Sequence, residues 1–386
     1  MNDEIRIDKK TVVWILLCFM LSRLFIYLLT GFTYKDYTID GVIDKLNLYD
    51  AEWYKAYVLN IINFDFFKYA HINATALGMA YWAFFPLYPI CVAIFYVITG
   101  KIFSIYLSGM ILSSVCFLVA MIYGYKYILL TRNDRYKAYL YIFLMCFGPY
   151  NIYFFIMYTE SMFLMLLTMS FFYLKRKQYL RMGICGALMS ATRNVGVFFV
   201  FVILAELIAE NCKDGKFSLS AFITQNIKKT KLVLGICMVP LGLFTYMLVL
   251  INKLGDGLAF VHVQKAWKSQ SGLSVLYSNI KYALWDNFPP DILQVIFFFS
   301  ILLILSQIIR GKYEEAVLPS ITLFVSSISS FVSIPRYMMG MFTIELAIVD
   351  QICSLGKKKR IFVVAIFLIF AISILRGWLF GNGFLL

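Results

Sequence analysis

Charge is what this sequence is shortest of. Only 15% of its 386 residues are Asp, Glu, Lys or Arg, against about 25% in a soluble globular chain. Acid is scarcer than base, with 21 Asp and Glu against 35 Lys and Arg. Histidine is nearly absent: His71 and His262 are the only two, too few for a histidine-based metal site. The eight cysteines (Cys18, Cys91, Cys116, Cys146, Cys185, Cys212, Cys237 and Cys353) are scattered. There is no CxxC and no His–Cys cluster, so they read as small apolar packing residues. No nucleic-acid-binding motif accompanies the net charge of +14, so no nucleic-acid partner is expected. No small-residue cleavage pattern follows the first apolar run, which reads as a retained anchor rather than a signal peptide. Internal repeats, linkers and low-complexity tracts are also missing.

What fills the chain is apolar residues, 62% of the total. No soluble core hides that share, so lipid is the expected solvent. Stretches near the roughly 20 apolar residues that span a bilayer recur from end to end. A single all-α polytopic membrane domain covering 1–386 is the expected architecture, with no soluble domain appended.

Positive residues beside spans mark the cytoplasmic face, and that fixes the crossings. The basic runs are Arg6/Lys9/Lys10, Arg132/Arg135/Lys137, Lys175/Arg176/Lys177/Arg181, Lys213 to Lys231, Arg310/Lys312 and Lys357 to Arg360. An even number of crossings separates any two. The resulting spans are about 11–31, 105–130, 138–157, 160–174, 182–192, 194–210, 232–252, 290–309, 316–333, 338–354 and 361–378, about eleven in all, with the N-terminus inside and the C-terminus outside. Residues 81–99 are apolar but interrupted by Pro86 and Pro89. A crossing there would put Arg132, Arg135 and Lys137 outside, so the segment is expected to be re-entrant or interfacial within a helical first outer loop, about 32–104, with a true span as the alternative. A break at Thr192-Arg193-Asn194 falls at outer membrane depth, where irregular backbone is tolerated only against a cavity.

This topology brings Asp50, Glu160, Arg193, Lys268 and Arg336 to the outer surface from five parts of the chain. Ionisable side chains at membrane depth are costly and mark function. Two acids and several bases on one face point to a cavity for an anionic, lipid-linked substrate. Each residue also has a plainer reading. Asp50 alone would be a solvated loop acid, but Leu48-Tyr49-Asp50-Ala51-Glu52-Trp53-Tyr54 surrounds it with interface-seeking aromatics. Glu160 opens a helix, where an acid is favoured by the dipole. Arg193 is able to snorkel, and Arg336 stands where a plain helix-end residue would. Glu206, Glu345 and Asp350 fall near inner helix ends and are assigned no chemistry.

Ordered motifs add a resemblance. Ser22-Arg23-Leu24, Tyr49-Asp50-Ala51-Glu52-Trp53-Tyr54, Ala83-Phe84-Phe85-Pro86-Leu87-Tyr88-Pro89, Tyr158-Thr159-Glu160-Ser161-Met162-Phe163, Thr192-Arg193-Asn194-Val195-Gly196, Val263-Gln264-Lys265-Ala266-Trp267 and Ser333-Ile334-Pro335-Arg336-Tyr337 occur in that order. In this combination the chain resembles the PIG-V family, the second mannosyltransferase of GPI-anchor assembly with its bacterial relatives, in the GT-C superfamily of membrane glycosyltransferases. Tyr49 stands where that family usually has Trp. The short outer loops suit a bacterial plasma-membrane member with its site outside; a eukaryotic one would face the endoplasmic reticulum lumen.

The resemblance implies a GT-C-type fold and transfer of mannose, with inversion, from a polyprenyl- or dolichyl-phosphate donor to a hydroxyl of a glycan or glycolipid acceptor. It implies Asp50 as the base and Glu160 as an aid in orienting the acceptor or a cation. Arg193 and Arg336 are then placed for the donor phosphate. Glu52, Trp53, Tyr54, Gln264, Trp267, Lys268 and Tyr337 complete the substrate-binding set. Some members of the superfamily use a divalent metal; with one carboxylate pair at most, none is expected here, and no other cofactor is. The competing class is a secondary transporter or lipid-linked-glycan flippase, which would carry internal repeats and midplane charges. A non-catalytic membrane protein gives no reason for Asp50 and Glu160 to share a face.

Overall fold

Among the residues described by the computed structural model (7–66, 78–212, 219–267, 272–286, 291–329 and 331–381), every regular element is helical. The helices are α1 Lys9–Tyr34, α2 Ile39–Leu46, α3 Asp50–Ile62, α4 Leu87–Ile98, α5 Ile105–Arg132, α6 Arg135–Phe147, α7 Glu160–Lys175, α8 Tyr179–Thr192, α9 Phe199–Asn211, α10 Leu219–Ile227, α11 Thr230–Met238, α12 Leu241–Leu254, α13 Ala259–His262, α14 Leu273–Lys281, α15 Ile292–Ile309, α16 Tyr313–Ser327, α17 Ile334–Met339, α18 Phe342–Ser354 and α19 Lys357–Leu379.

Each of the expected spans contains helix, but they fall into two classes. Six segments are long and apolar enough to cross a membrane: Lys9–Tyr34, Ile105–Arg132, Asn194–Asn211, Thr230–Leu254, Ile292–Ile309 and Lys357–Leu379. The expectation of about eleven is therefore met at full length by six. The other five are α6, α7, α8, α16 and α18, of 13, 16, 14, 15 and 13 residues. At 1.5 Å per residue these reach about 20–24 Å, short of a hydrocarbon core of about 30 Å.

The short helices stop for identifiable reasons. The segment expected to run through 138–157 ends at Phe147, because Gly148 precedes Pro149 and takes an extended conformation (φ −72°, ψ 172°). A 3-10 turn, Asn151–Phe154, follows, and nearly all of 148–160 is buried. The segment expected at 316–333 ends at Ser327, and the one expected from 338 starts at Phe342 after the separate α17. The irregular backbone of 148–160 is enclosed by protein rather than lipid, the condition under which it is tolerated. Between α3 and α5, the apolar 81–99 segment yields α4, whose 12 residues are about 18 Å long, too short to cross alone.

The short helices form the interior. Ten of the 13 residues of α18 are buried, around its whole circumference. α5 packs most extensively on α7, and α7 on α8. α8 meets α11 and α12 through glycine: a Cβ on Gly183 would lie 2.7 Å from Gly235 Cα, and one on Gly242 would lie 2.1 Å from the Ala187 carbonyl oxygen. Small residues let helix backbones touch where lipid offers no hydrophobic drive to associate.

At the end of α7 remote from Glu160, charges tie the bundle together. Arg132 grips Glu315 through two 2.6 Å bonds and reaches Asp350 at 3.2 Å. Lys137 and Lys312 each bond Asp350 at 2.7 Å. Lys175 joins Glu206 at 2.6 Å and Glu314 at 2.8 Å. Asp350 and Glu206 are thus structural ties.

Replacing Gly183 by Val should lower the stability of the detergent-solubilised protein by about 1–3 kcal/mol through overpacking. Gly356→Ala, where a Cβ meets nothing within 4 Å, should change it by less than about 0.5 kcal/mol. Thermal unfolding of the two variants side by side checks this; equal midpoints would contradict the packing account.

Candidate functional site

At the opposite end of α7 four charged side chains close into a chain of ion pairs. Arg336, in α17, donates from Nε to Glu160 Oε1 at 2.6 Å and from Nη1 to Asp50 Oδ2 at 2.8 Å. Arg193 donates from Nη1 to the same Glu160 Oε1 at 2.8 Å. Glu160 and Arg336 are buried, with side chains 6% and 7% exposed; Arg193 is half-buried at 16%, and Asp50 is 28% exposed. Of the two acids, Asp50 is the one a ligand reaches. Glu160 holds both arginines, and its Oε2 is buried with no hydrogen-bond donor among the described residues.

Each member is delivered by an end of a helix. Asp50 is the first residue of α3, following Tyr49 at φ 55°. Its backbone N–H donates to the Tyr158 hydroxyl at 3.1 Å, which donates to the Leu48 carbonyl at 3.0 Å. Glu160 opens α7. Arg193 lies just past α8 with extended backbone (φ −152°, ψ 143°), and the chain turns back so tightly that a Cβ on Gly196 would sit 2.6 Å from the Met189 carbonyl. Arg193 stacks over Tyr337 at 4.5 Å and Arg336 over Tyr158 at 4.9 Å.

The buried tip between α6 and α7 is clamped in turn. Arg23 of α1 donates to the carbonyls of Asn151 at 3.4 Å and Phe154 at 3.2 Å, with its guanidinium 4.7 Å from the Phe117 ring centre. Asn47 accepts the Met157 N–H at 2.8 Å, and Ser161 donates to the Phe154 carbonyl at 3.0 Å. These contacts hold Tyr158, Thr159 and Glu160 in register with Asp50.

The charges face a cavity of about 430 Å³. Asp50, Tyr54, Glu160, Arg193, Gln264, Arg336 and Tyr337 all line it. Burial pushes the Tyr54 phenol well above its ordinary range, helped by the nearby carboxylates, so it stays a neutral hydroxyl, 3.3 Å from Thr159 Oγ1. Phe84 lines one wall and is backed by Trp53, stacked at 6.1 Å, and Trp267, edge-on at 6.3 Å; the two indoles meet at 5.3 Å. Tyr246 fixes this wall by donating to the Trp82 carbonyl at 2.7 Å. Glu52 is exposed and lies off the cavity lining. Lys268 lies outside the described residues.

The sequence reading missed the facing wall, where Thr322, Ser326, Ser329 and Ser333 present hydroxyls. Their spacing of four, three and four is helical, so the stripe was legible in principle. It also missed Lys265 and His262 at the mouth, although Lys265 stands inside a quoted motif. Asp50 and Glu160 are both turned onto arginines, and among the described residues no three His, Cys, Asp or Glu side chains gather as metal ligands. This donor set does not fit a metal, and no step is derived through one.

No protein-family model and no curated protein matches the chain. Among solved structures it is similar to the archaeal oligosaccharyltransferase AglB from Archaeoglobus fulgidus, in complex with an inhibitory peptide and a dolichol-phosphate. The similarity covers 97% of this chain and 56% of that one, at 12% identity and a TM-score of 0.47. The chain therefore spans little more than half the length of that protein.

Glu160→Ala should destabilise the protein by about 3–5 kcal/mol, because it takes the carboxylate from Arg193 and leaves the buried Arg336 with Asp50 alone. Asp50→Asn, at a part-exposed position, should cost about 1 kcal/mol or less. Thermal unfolding in detergent distinguishes the two; equal losses would mean that Glu160 does not organise the site.

Proposed function

We propose that this chain is a membrane glycosyltransferase. It moves a sugar, mannose by the family resemblance, from a polyprenyl- or dolichyl-phosphate carrier to a hydroxyl of a glycan or glycolipid acceptor, with inversion. The observation that carries the reading is Asp50: a reachable carboxylate on a cavity wall, held 2.8 Å from a buried arginine that also anchors Glu160.

In this reading the acceptor oxygen attacks the anomeric carbon as the bond from that carbon to the phosphate oxygen breaks. Asp50 takes the proton of the acceptor hydroxyl. The electron pair of the broken bond leaves on the carrier phosphate, beside the guanidinium groups of Arg193 and Arg336 that line the cavity. Glu160 is a positioning residue, since it sets both guanidinium groups. Phe84, backed by Trp53 and Trp267, offers an apolar face to a sugar ring, and the hydroxyls of Thr322 and Ser326 offer partners to its polar edge. A volume of about 430 Å³ lies within the roughly 300–1,000 Å³ of small-molecule sites.

Sidedness follows from charge. The network of Arg132, Lys137, Lys175 and Lys312 stands about 22 Å from Glu160 along α7, and the positive-inside rule assigns that end to the cytoplasm. The cavity then opens on the extracytoplasmic side of an integral, multi-pass protein. A tag placed after Leu386 is expected to react with membrane-impermeant reagents in intact cells; labelling only after permeabilisation would reverse the assignment.

Asp50→Asn should cut sugar transfer by about 10²–10⁴-fold while donor binding persists. Mass spectrometry of glycolipids from membranes given labelled polyprenyl-phosphate-mannose, with wild type or variant, checks this and identifies the acceptor. Undiminished transfer by the variant would remove Asp50 from the base role.

A further inference from the structure

We infer that Lys265, at the mouth of the cavity, is the cation that receives the charge of the carrier phosphate, and that its single charge fits the site to a singly charged phosphodiester. The inference rests on the transferase reading and deepens it.

The argument is one of charge balance. Five charged side chains line the cavity, leaving His262 aside: Asp50, Glu160, Arg193, Lys265 and Arg336. Four of them neutralise one another through three contacts of 2.8 Å or less, Arg336–Asp50, Arg336–Glu160 and Arg193–Glu160. An anion that relied on the two arginines alone would enter a site whose net charge is already zero. His262 adds nothing definite to the balance, because its Nδ1 is engaged by Asp256 Oδ2 at 2.7 Å. Lys265 differs from all of these: it is exposed, lines the cavity and has no ion-pair partner among the described residues.

Among the described residues, Lys265 therefore supplies the excess positive charge. Its ammonium is a compact charge on a flexible four-carbon stem, suited to meeting a headgroup as it enters. It lies in the 3-10 turn Val263–Ala266, two residues from Trp267 of the aromatic wall. The phosphodiester that joins a sugar to a polyprenyl chain carries one negative charge, and one ammonium balances it. A pyrophosphate linkage carries two and would leave one unbalanced in the cavity.

The test uses the full chain in nanodiscs of phosphatidylcholine, which bears no net charge. The probes are farnesyl methyl phosphate, a singly charged phosphodiester, and farnesol, its uncharged counterpart. Lys265→Ala is expected to weaken binding of the diester about tenfold, the loss of one charge-assisted contact, and to leave farnesol unchanged. Lys265→Arg should retain the diester, and Lys265→Glu should bind it more weakly than Lys265→Ala. Unchanged diester affinity in Lys265→Ala overturns the inference, as does an equal loss of both probes or a wild type that binds neither. A wild type that binds the diester through Lys265 yet transfers no sugar would defeat the transferase reading and uphold this one. Sugar transfer with a diester affinity indifferent to Lys265 would do the reverse.

Discussion

The guanidinium of Arg336 is the contact on which the site depends. It joins residues 286 and 176 positions apart in the chain, bonding Asp50 with one nitrogen and Glu160 with another. Burying a lone guanidinium is costly, and burying it is tolerable only where carboxylates and ring faces replace the water it has lost. Here they do: two carboxylates in the plane, with the rings of Tyr158, Tyr153 and Tyr337 around it at 4.9, 5.2 and 5.4 Å. Because each acid opens a helix, satisfying this one cation fixes where α3 and α7 begin. Arg193, on the same oxygen of Glu160, fixes where α8 ends.

That requirement explains the broken helices. A helix that crossed the bilayer without interruption would carry its ends, and the groups on them, out to the interface. Where α6, α8 and α16 stop early, their final turns and the loops beyond them are left inside the protein, and the site is assembled from those ends. The cost is unpaired backbone, and the structure meets it locally. Arg23 bonds two carbonyls of the tip between α6 and α7, and Asn47 accepts one of its N–H groups. Arg23 has no carboxylate partner among the described residues; carbonyls and the rings of Phe19, Phe117 and Phe155 serve instead. A cation inside the first span thus acts on the position of Glu160, some 137 residues later, through the backbone of the tip.

Much of this was legible in the sequence, and the parts that were not share a cause. Hydropathy and the basic runs located the helical segments, and proline flagged the apolar stretch that became the short α4. Asp50, Glu160, Arg193 and Arg336 were legible because charge in an apolar chain is conspicuous. Pairing was not. Nothing in the spacing shows that Glu160 serves two arginines while Asp50 faces the cavity, since that depends on which helix ends meet. Helix lengths were overestimated for the same reason: hydropathy continues through 148–157 because nearly all of those residues are buried, and burial by protein and burial by lipid look alike in composition. The hydroxyls of Thr322 and Ser326 were overlooked because serine and threonine are cheap in a helix, where their hydroxyls bond back to the backbone.

The pairing also bears on the proposed chemistry. In the proposed reading the base must leave its arginine to meet the acceptor hydroxyl. Asp50 is the less buried of the two acids on Arg336 and keeps a second oxygen free of that bond, so it is the one able to turn toward an acceptor. Glu160, enclosed and holding two cations, has no such freedom. In the proposed reading an entering phosphate would compete with Asp50 for the same guanidinium and loosen the hold on that carboxylate. Donor binding and the freedom of Asp50 to turn would thereby be coupled through one side chain. A free cation at the mouth completes that logic, since it draws the anion in before the arginines are asked to exchange partners.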